Sequence, residues 1–229
     1  MKPELSVVLP VHNQADHIAA VLDKYYGAFK KRRWEIILVP NGCRDDSAAL
    51  CRKVAAKHPL TRVVEIREGG WGIAVRTGLQ KARGRFLCYS NSARTDPATI
   101  VRLFEHFKRH PKGLAKVKRS LRGNWLRQGG SWIYNIECRL FLGIPSWDTN
   151  GTPKIFAASW LPKLSLTASG DFLDSELMVQ FHRLGVPFHE IPLRGWARHG
   201  GKSLTNFKAA FRLYWEPLRY RQQMGSKVP

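Results

Sequence analysis

Leu5-Ser-Val-Val-Leu-Pro-Val11, the stretch Ala15 to Phe29, and Trp34-Glu-Ile-Ile-Leu-Val39 decide the fold. The first is an apolar run of strand length that closes on Pro10 and a polar loop. In the second, Ile18, Val21, Leu22 and Tyr25 recur at helical spacing. The third is another strand, stopped by Pro40-Asn41-Gly42. The alternation continues outward. Asp45, Asp46 and Ser47 offer caps to a helix with Leu50, Val54 and Ala55 inward. Thr61 to Ile66 is a third strand, Gly69-Gly70-Trp71-Gly72 a loop, and a helix runs on to about Ala82. Arg85 to Tyr89 is a fourth strand, with a helix after Pro97. This order predicts an α/β fold: a mostly parallel sheet flanked by helices on both faces. Such sheets take ligands at the carboxyl ends of their strands. The loops 10–14, 40–46, 69–73 and 90–96 are therefore where a site is expected.

The second half is less regular. Residues 111–135 are rich in Lys, Arg, Gly and Trp and show no clear period. An apolar segment spans Trp132 to Leu142, Pro153 to Phe156 reads as a strand, Phe172 to Leu184 as a helix and Val186 to Ile191 as a strand. With no repeat and no linker, 229 residues read as one domain. Its nucleotide-binding half is expected at about 1–110, an acceptor half at about 111–203 and a basic amphipathic segment at 204–229.

Lys and Arg number 38 against 17 Asp and Glu, a formal charge of +21. A hydrophobic share of 44% and an aromatic share of 11% exclude a disordered or collagen-like chain. A globular protein this basic repels itself and is expected to meet a polyanion. The apolar runs fall well short of the roughly 18 residues of a spanning helix. Residues 1–5 carry no signal-peptide core, and Cys43, Cys51, Cys88 and Cys138 have no CxxC spacing. Both point to a cytoplasmic protein with reduced thiols.

Motifs in order along the chain resemble glycosyltransferase family 2, in the branch of the dolichol-phosphate mannose synthases and polyprenyl-phosphate glycosyltransferases. Leu9-Pro-Val-His-Asn-Gln14 is similar to its opening P-x-Y-N-E, and Val39 to Ser47 to its V-D-D-G-S-x-D-x-T. Gly70 to Gly78 with Ala82-Arg-Gly84 is similar to G-K-G-A-A-x-R-x-G and A-x-G-D. Asp148 to Phe156 resembles D-x-x-x-G-F-x-x-F; Asp174-Ser-Glu176, Glu190-Ile-Pro192 and Gly200-Gly-Lys-Ser203 match the closing elements. The resemblance covers roughly residues 5–205 and implies a GT-A fold with inverting sugar transfer from a nucleotide donor.

The donor site is then expected at Pro10, His12, Gln14, Asn41, Gly70, Gly72, Arg76, Asn91, Ala93 and Arg94. The Gly70-Trp71-Gly72 turn permits close backbone approach, and the helix N-terminus after it suits an anion. Arg76 lies one turn further on, within reach of a phosphate. Asp174 is the expected catalytic carboxylate: a general base for a hydroxyl acceptor, or, for a phosphate acceptor, a group that orients a basic neighbour. Arg119, Arg127, Arg198, Lys202 and Ser203 are expected to bind phosphates.

The departures from the family pattern carry as much information. Where the family has its metal-holding D-x-D, this chain reads Asn91-Ser92-Ala93; the opening Glu is Gln14, and two aspartates become Pro40 and Asn41. Hard cations need anionic oxygen ligands, so no D-x-D metal and no other cofactor is expected. Asp96 lies close by, but beside Pro97 it reads as a helix start. Fixed cations can stabilise a leaving diphosphate in place of a metal.

The basic stretch 204–221 interleaves Phe207, Phe211, Tyr214 and Trp215 with Lys208, Arg212, Arg219 and Arg221, at helical spacing as far as Pro217. That composition suits an anionic membrane surface. The expected partners are a nucleotide sugar, a phosphorylated lipid or glycan acceptor and such a surface. Two rival readings stand: an inactive protein of the same fold that binds a sugar nucleotide or polyanion, and a nucleic-acid-binding module. No zinc-finger spacing, RNP motif or basic heptad region supports the second.

Overall fold

The computed structural model describes residues 2–119, 125–193 and 215–223, with backbone alone at 125–128 and 193. Its strands are β1 (Leu5–Val11), β2 (Trp34–Pro40), β3 (Thr61–Val63), β4 (Phe86–Tyr89), β5 (Leu114–Arg119), β6 (Lys154–Ala157) and β7 (Phe188–Leu193). Its helices are α1 (Ile18–Phe29), α2 (Ser47–Ala55), α3 (Trp71–Lys81), α4 (Pro97–Phe107), α5 (Trp125–Leu142) and α6 (Leu173–Arg183), with a short 3-10 turn at Ala158–Lys163.

The strands form one sheet in the order β3-β2-β1-β4-β6-β5-β7. All pairings are parallel except those of β6, which runs against both β4 and β5. β1 is buried along its whole length because it lies between two strands and under helices on both faces. Its side chains alternate: Leu5, Val7, Leu9 and Val11 pack with α1 and α4, while Val8 faces α3, α5 and α6. The chain winds outward from β1 to β3, then returns to place β4 on the other flank of β1. Strand order reverses there, so a crevice opens at the carboxyl ends of β1 and β4.

The structure departs from the sequence reading in two places. Residues 111–135 without a clear period contain β5 and the start of α5. The strand Leu-Ala-Lys-Val-Lys-Arg was obscured because Lys116, which reads as a solvated charge, is fully buried. Near the C-terminus, residues 204–214 of the basic stretch lie outside the described residues, while residues 215–223 are helical and include Pro217. This stretch packs on the domain through Tyr220, whose ring lies 5.2 Å from that of Phe172, and keeps Arg219 and Arg221 exposed. Asp96 caps α4 by accepting from the Ala98 amide at 2.9 Å, with Pro97 next to it, so its oxygen serves the helix start.

Candidate active site

The loops after β1, β2 and β3 meet in a cleft of about 600 Å³ lined by His12, Asn13, Gly42, Cys43, Arg44, Arg67 and Gly69. Hydrogen bonds between loops fix its walls. His12 Nδ1 donates to the Asn41 carbonyl at 2.6 Å, and the Arg44 amide donates to Asn13 Oδ1 at 2.8 Å. Asp45 accepts from the Ala15 amide, and Ser47 Oγ from the Gln14 amide. Gly42 has φ +53, and a Cβ on it would stand 2.7 Å from the Gly69 Cα. Glycine is needed where these two loops touch.

The amides that stand where related enzymes carry carboxylates are used internally. Buried Asn41 donates to the Val11 and Val39 carbonyls and accepts from the Gly70 amide. Gln14 accepts from Ser92 Oγ at 2.9 Å, a bond across the β1–β4 crevice that also brings Ser92 to the Pro10 carbonyl. Asn91 closes its own turn by accepting from the Ala93 amide. Arg94 is half-buried beside this turn.

Two carboxylates of α6 support the Gly70-Trp71-Gly72 turn, Asp174 directly and Glu176 through the backbone beside it. Asp174, only 4% exposed, accepts from Trp71 Nε1 at 3.0 Å, from Tyr89 Oη at 2.7 Å, and from Lys154 Nζ. Glu176 accepts from the Thr167 and Ala168 amides and from Thr167 Oγ1. It thereby holds the backbone of 168–170 against the turn. A Cβ on Gly72 would lie 2.4 Å from the Ala168 carbonyl oxygen, and one on Gly70 2.6 Å from that of Ser169. The close approach these glycines permit is thus to the chain itself. Arg76, expected at a phosphate, donates from Nη1 to the Leu166 carbonyl at 2.9 Å.

Next to Asp174, two lysines face each other across β5 and β6 in the register Lys116↔Lys154, both fully buried. Burial pushes the Lys154 ammonium down to about 8, against the opposing pull of the Asp174 charge. Lys116 is lowered by burial as well and is held by Glu190 at 3.0 Å. Arg119, expected on a phosphate, is engaged by Asp148 through Nε, Nη2 and its backbone amide. Burial works against the ionised Asp148, but the Arg119 bond and charge, with Lys116, hold its carboxyl well below the usual range. Asp171 lies in the loop before α6, and desolvation of its carboxyl, then the charge of Asp174, raise its pKa. Arg198, Lys202, Ser203 and the side chain of Arg127 lie outside the described residues.

The model of the family described as "Glycosyl transferase family 2" matches residues 6–163, over half of the chain. The chain belongs to glycosyl transferase family 2. Among relatives of this family, a dodecaprenyl-phosphate galacturonate synthase of Rhizobium johnstonii is 29% identical over 71% of the chain and 50% of its own length. A dolichyl-phosphate beta-glucosyltransferase of Drosophila melanogaster is 26% identical over 89% of the chain and 70% of its own length. An undecaprenyl-phosphate 4-deoxy-4-formamido-L-arabinose transferase of Edwardsiella ictaluri is 28% identical over 57% of the chain. The chain spans about half of the length of the first of these and 42% of the last. Among solved structures, glucosyl-3-phosphoglycerate synthase from Mycobacterium tuberculosis, in complex with Mn2+, UDP and glucosyl-3-phosphoglycerate, superposes with a TM-score of 0.75 at 20% identity. That likeness covers 96% of this chain and 80% of the other, and the fold is GT-A.

The residues at the family's metal position do not fit a hard divalent cation. Asn91-Ser92-Ala93 offers no carboxylate, the Asn91 and Gln14 oxygens already accept protein hydrogen bonds, and the one Ser92 hydroxyl proton lies between the Pro10 carbonyl and Gln14 Oε1. Sequence reasoning missed Lys154, Tyr89, Lys116 and Arg67. Arg44 falls within the loop 40–46 that strand topology marks, and Arg67 lies just before the marked loop 69–73. The buried lysines left no signal, because their partners Asp174 and Glu190 are remote in sequence.

Proposed function

We propose that this family 2 chain transfers a sugar from a nucleotide diphosphate donor to a polyprenyl phosphate, with inversion and without a cation at the D-x-D position. The carrying observation is the cleft at the carboxyl ends of β1 and β2, in which Arg44 and Arg67 stand beside a crevice emptied of carboxylates. The nucleoside lies along the His12–Asn13 wall, and the two guanidiniums meet the charge of the diphosphate. A phosphate acceptor brings its own nucleophilic oxygen, so no protein base is required. Asp174, with its oxygens occupied by Trp71, Tyr89 and Lys154, is a positioning residue that keeps Lys154 and the Gly70–Gly72 turn in place.

The acceptor's membrane supports a peripheral mode of attachment. Among the described residues no helix is long and apolar enough to cross a membrane. Yet α5 turns Trp132, Ile133 and Leu140 outward at 59%, 51% and 68% exposure, opposite its buried Tyr134, Cys138 and Leu142. Exposed Arg139 and Arg221 adjoin this face, and the chain carries +21. That pairing of apolar stripe and positive charge fits an anionic lipid interface.

Ligand binding without turnover is a second reading, favoured by the internal use of Gln14, Asn41 and Arg76. One assay separates the two: transfer of labelled sugar from a panel of nucleotide sugars to undecaprenyl phosphate in vesicles, with EDTA or Mn2+ added. Lipid-linked label that survives EDTA supports the proposal. Strict Mn2+ dependence removes its metal clause, and nucleotide-induced thermal stabilisation without transfer favours the second reading.

A further inference from the structure

At the end of the sheet opposite the donor cleft, three histidines converge. His106 lies in the last turn of α4, and His110 follows four residues later in turns that continue it, bonded amide to carbonyl from Arg109 to His106 and from His110 to Phe107. Spacing of four places both on one side of a helical turn. His189 comes from β7, the edge strand, whose neighbour Phe188 packs into the opposite core cluster. One ring nitrogen from each of the three lies within 4.8 Å of the others. Rings of His110 and His189 stack at 4.5 Å, and that of His106 lies 5.7 Å from His110. His189 reaches this position because Gly113 has no side chain: a Cβ there would stand 2.4 Å from the imidazole.

We propose that His106, His110 and His189 bind a borderline divalent transition metal of the Zn2+ class, with a fourth position open to solvent. The ligand set decides the class. Three imidazoles without a carboxylate suit Zn2+, Ni2+ or Co2+ and exclude Mg2+ and Ca2+. Coordination needs neutral rings. Zn–N bonds of about 2.0–2.1 Å put tetrahedral nitrogens roughly 3.3 Å apart. The nitrogens lie at most 4.8 Å apart, so coordination closes each separation by up to about 1.5 Å through rotation of these side chains, of which His110 is the exposed one. Lys108 is paired with Glu105, while Arg109 and Lys112 are exposed nearby, so binding rests on the imidazole lone pairs rather than on local charge. The site is remote from the donor cleft and independent of the proposed transfer.

The test uses untagged chain, metal-stripped and titrated with Co2+. The expected result is one equivalent bound, with the intense visible bands of four-coordinate Co2+, displaced by Zn2+ and accompanied by a rise in Tm. His110→Ala, at an exposed position, should keep the parent circular dichroism and weaken Co2+ binding at least about tenfold. His189→Ala should do the same, and the His110/His189 double substitution should abolish the bands. A His12→Ala, Cys43→Ser variant should retain them. Absence of bands in the parent overturns the site, and so does their persistence in the double variant. Their loss in the His12/Cys43 variant would instead move the metal to the cleft and overturn the assignment.

Discussion

Lys154 on the antiparallel strand β6 and Asp174 in the first turn of α6 form an ion pair buried beneath the carboxyl end of the sheet. Taking two charges out of water is costly, and attraction repays it only with good geometry and further hydrogen bonds. Here Tyr89 and Trp71 supply those bonds. Removing one partner leaves a buried charge without compensation. Asp174→Ala should therefore lower unfolding free energy by about 3–5 kcal/mol. The double change Lys154→Met, Asp174→Leu should recover most of that loss while still abolishing transfer. Urea denaturation beside the transfer assay reads both; equal instability of single and double variants would sink the account.

The same pair predicts a pH response. Lys154 has a folded pKa near 8, below its ordinary 10.5. Between those values the unfolded chain binds more protons than the folded one, so this group makes stability rise with pH through that window. Below about 8 both states are protonated and the contribution is flat. The difference in Tm between parent and Lys154→Met should shift in favour of the parent from pH 8 towards 10. A difference independent of pH would mean that burial does not depress the lysine in the folded chain.

How the turn at Gly70–Gly72 is held gives a third expectation. Gly72→Ala forces a methyl towards the Ala168 carbonyl, and that backbone is pinned by Glu176. Overpacking of this kind costs about 1–3 kcal/mol. Glu176→Gln loosens the same segment. The two changes should therefore be non-additive, with a coupling of about 0.5–3 kcal/mol in a double-mutant cycle. Strict additivity would mean that Glu176 does not hold the wall against which Gly72 packs.

These cases show what the sequence makes legible. Leu5–Val11 and Trp34–Pro40 declare themselves because buried parallel strands are continuous apolar runs. Asp174 and Glu176, two apart on a helix, point to different partners as their spacing requires. Arg76 could be placed on α3 by periodicity, but no local pattern reveals that the Leu166 carbonyl takes it. Lys116 and Lys154 look like surface charges until the β5–β6 register brings them together above carboxylates far along the chain. Antiparallel β6 was legible as a strand but not in its direction, which the long excursion from β5 sets.

Donor binding gives a fourth expectation. Arg44 and Arg67 are exposed in the cleft, so their loss should spare the fold. Each charge-assisted bond to a diphosphate is worth about 1.5–3 kcal/mol. Arg44→Ala and Arg67→Ala should each weaken nucleotide diphosphate binding about tenfold or more, measured by calorimetry at fixed ionic strength. Binding of the uncharged nucleoside should be unchanged. An equal loss for nucleoside and nucleotide would mean that the arginines shape the cleft rather than meet the phosphates.

Attachment to lipid separates two forces. The basic surface contributes a salt-sensitive attraction, about 1 kcal/mol for each residue near an anionic leaflet. Trp132, Ile133 and Leu140 add apolar contact that salt does not screen. Serine at all three positions removes about 1 kcal/mol each, so vesicle affinity should fall roughly a hundredfold. Their exposure means that Tm should hold or rise. The remaining binding should vanish at high salt, whereas the parent should keep a salt-resistant fraction on the same anionic vesicles. If the triple variant sediments with vesicles as the parent does, α5 is not the face that meets the membrane. Should both proteins release completely at moderate salt, attachment is electrostatic alone, and the stripe on α5 has another partner.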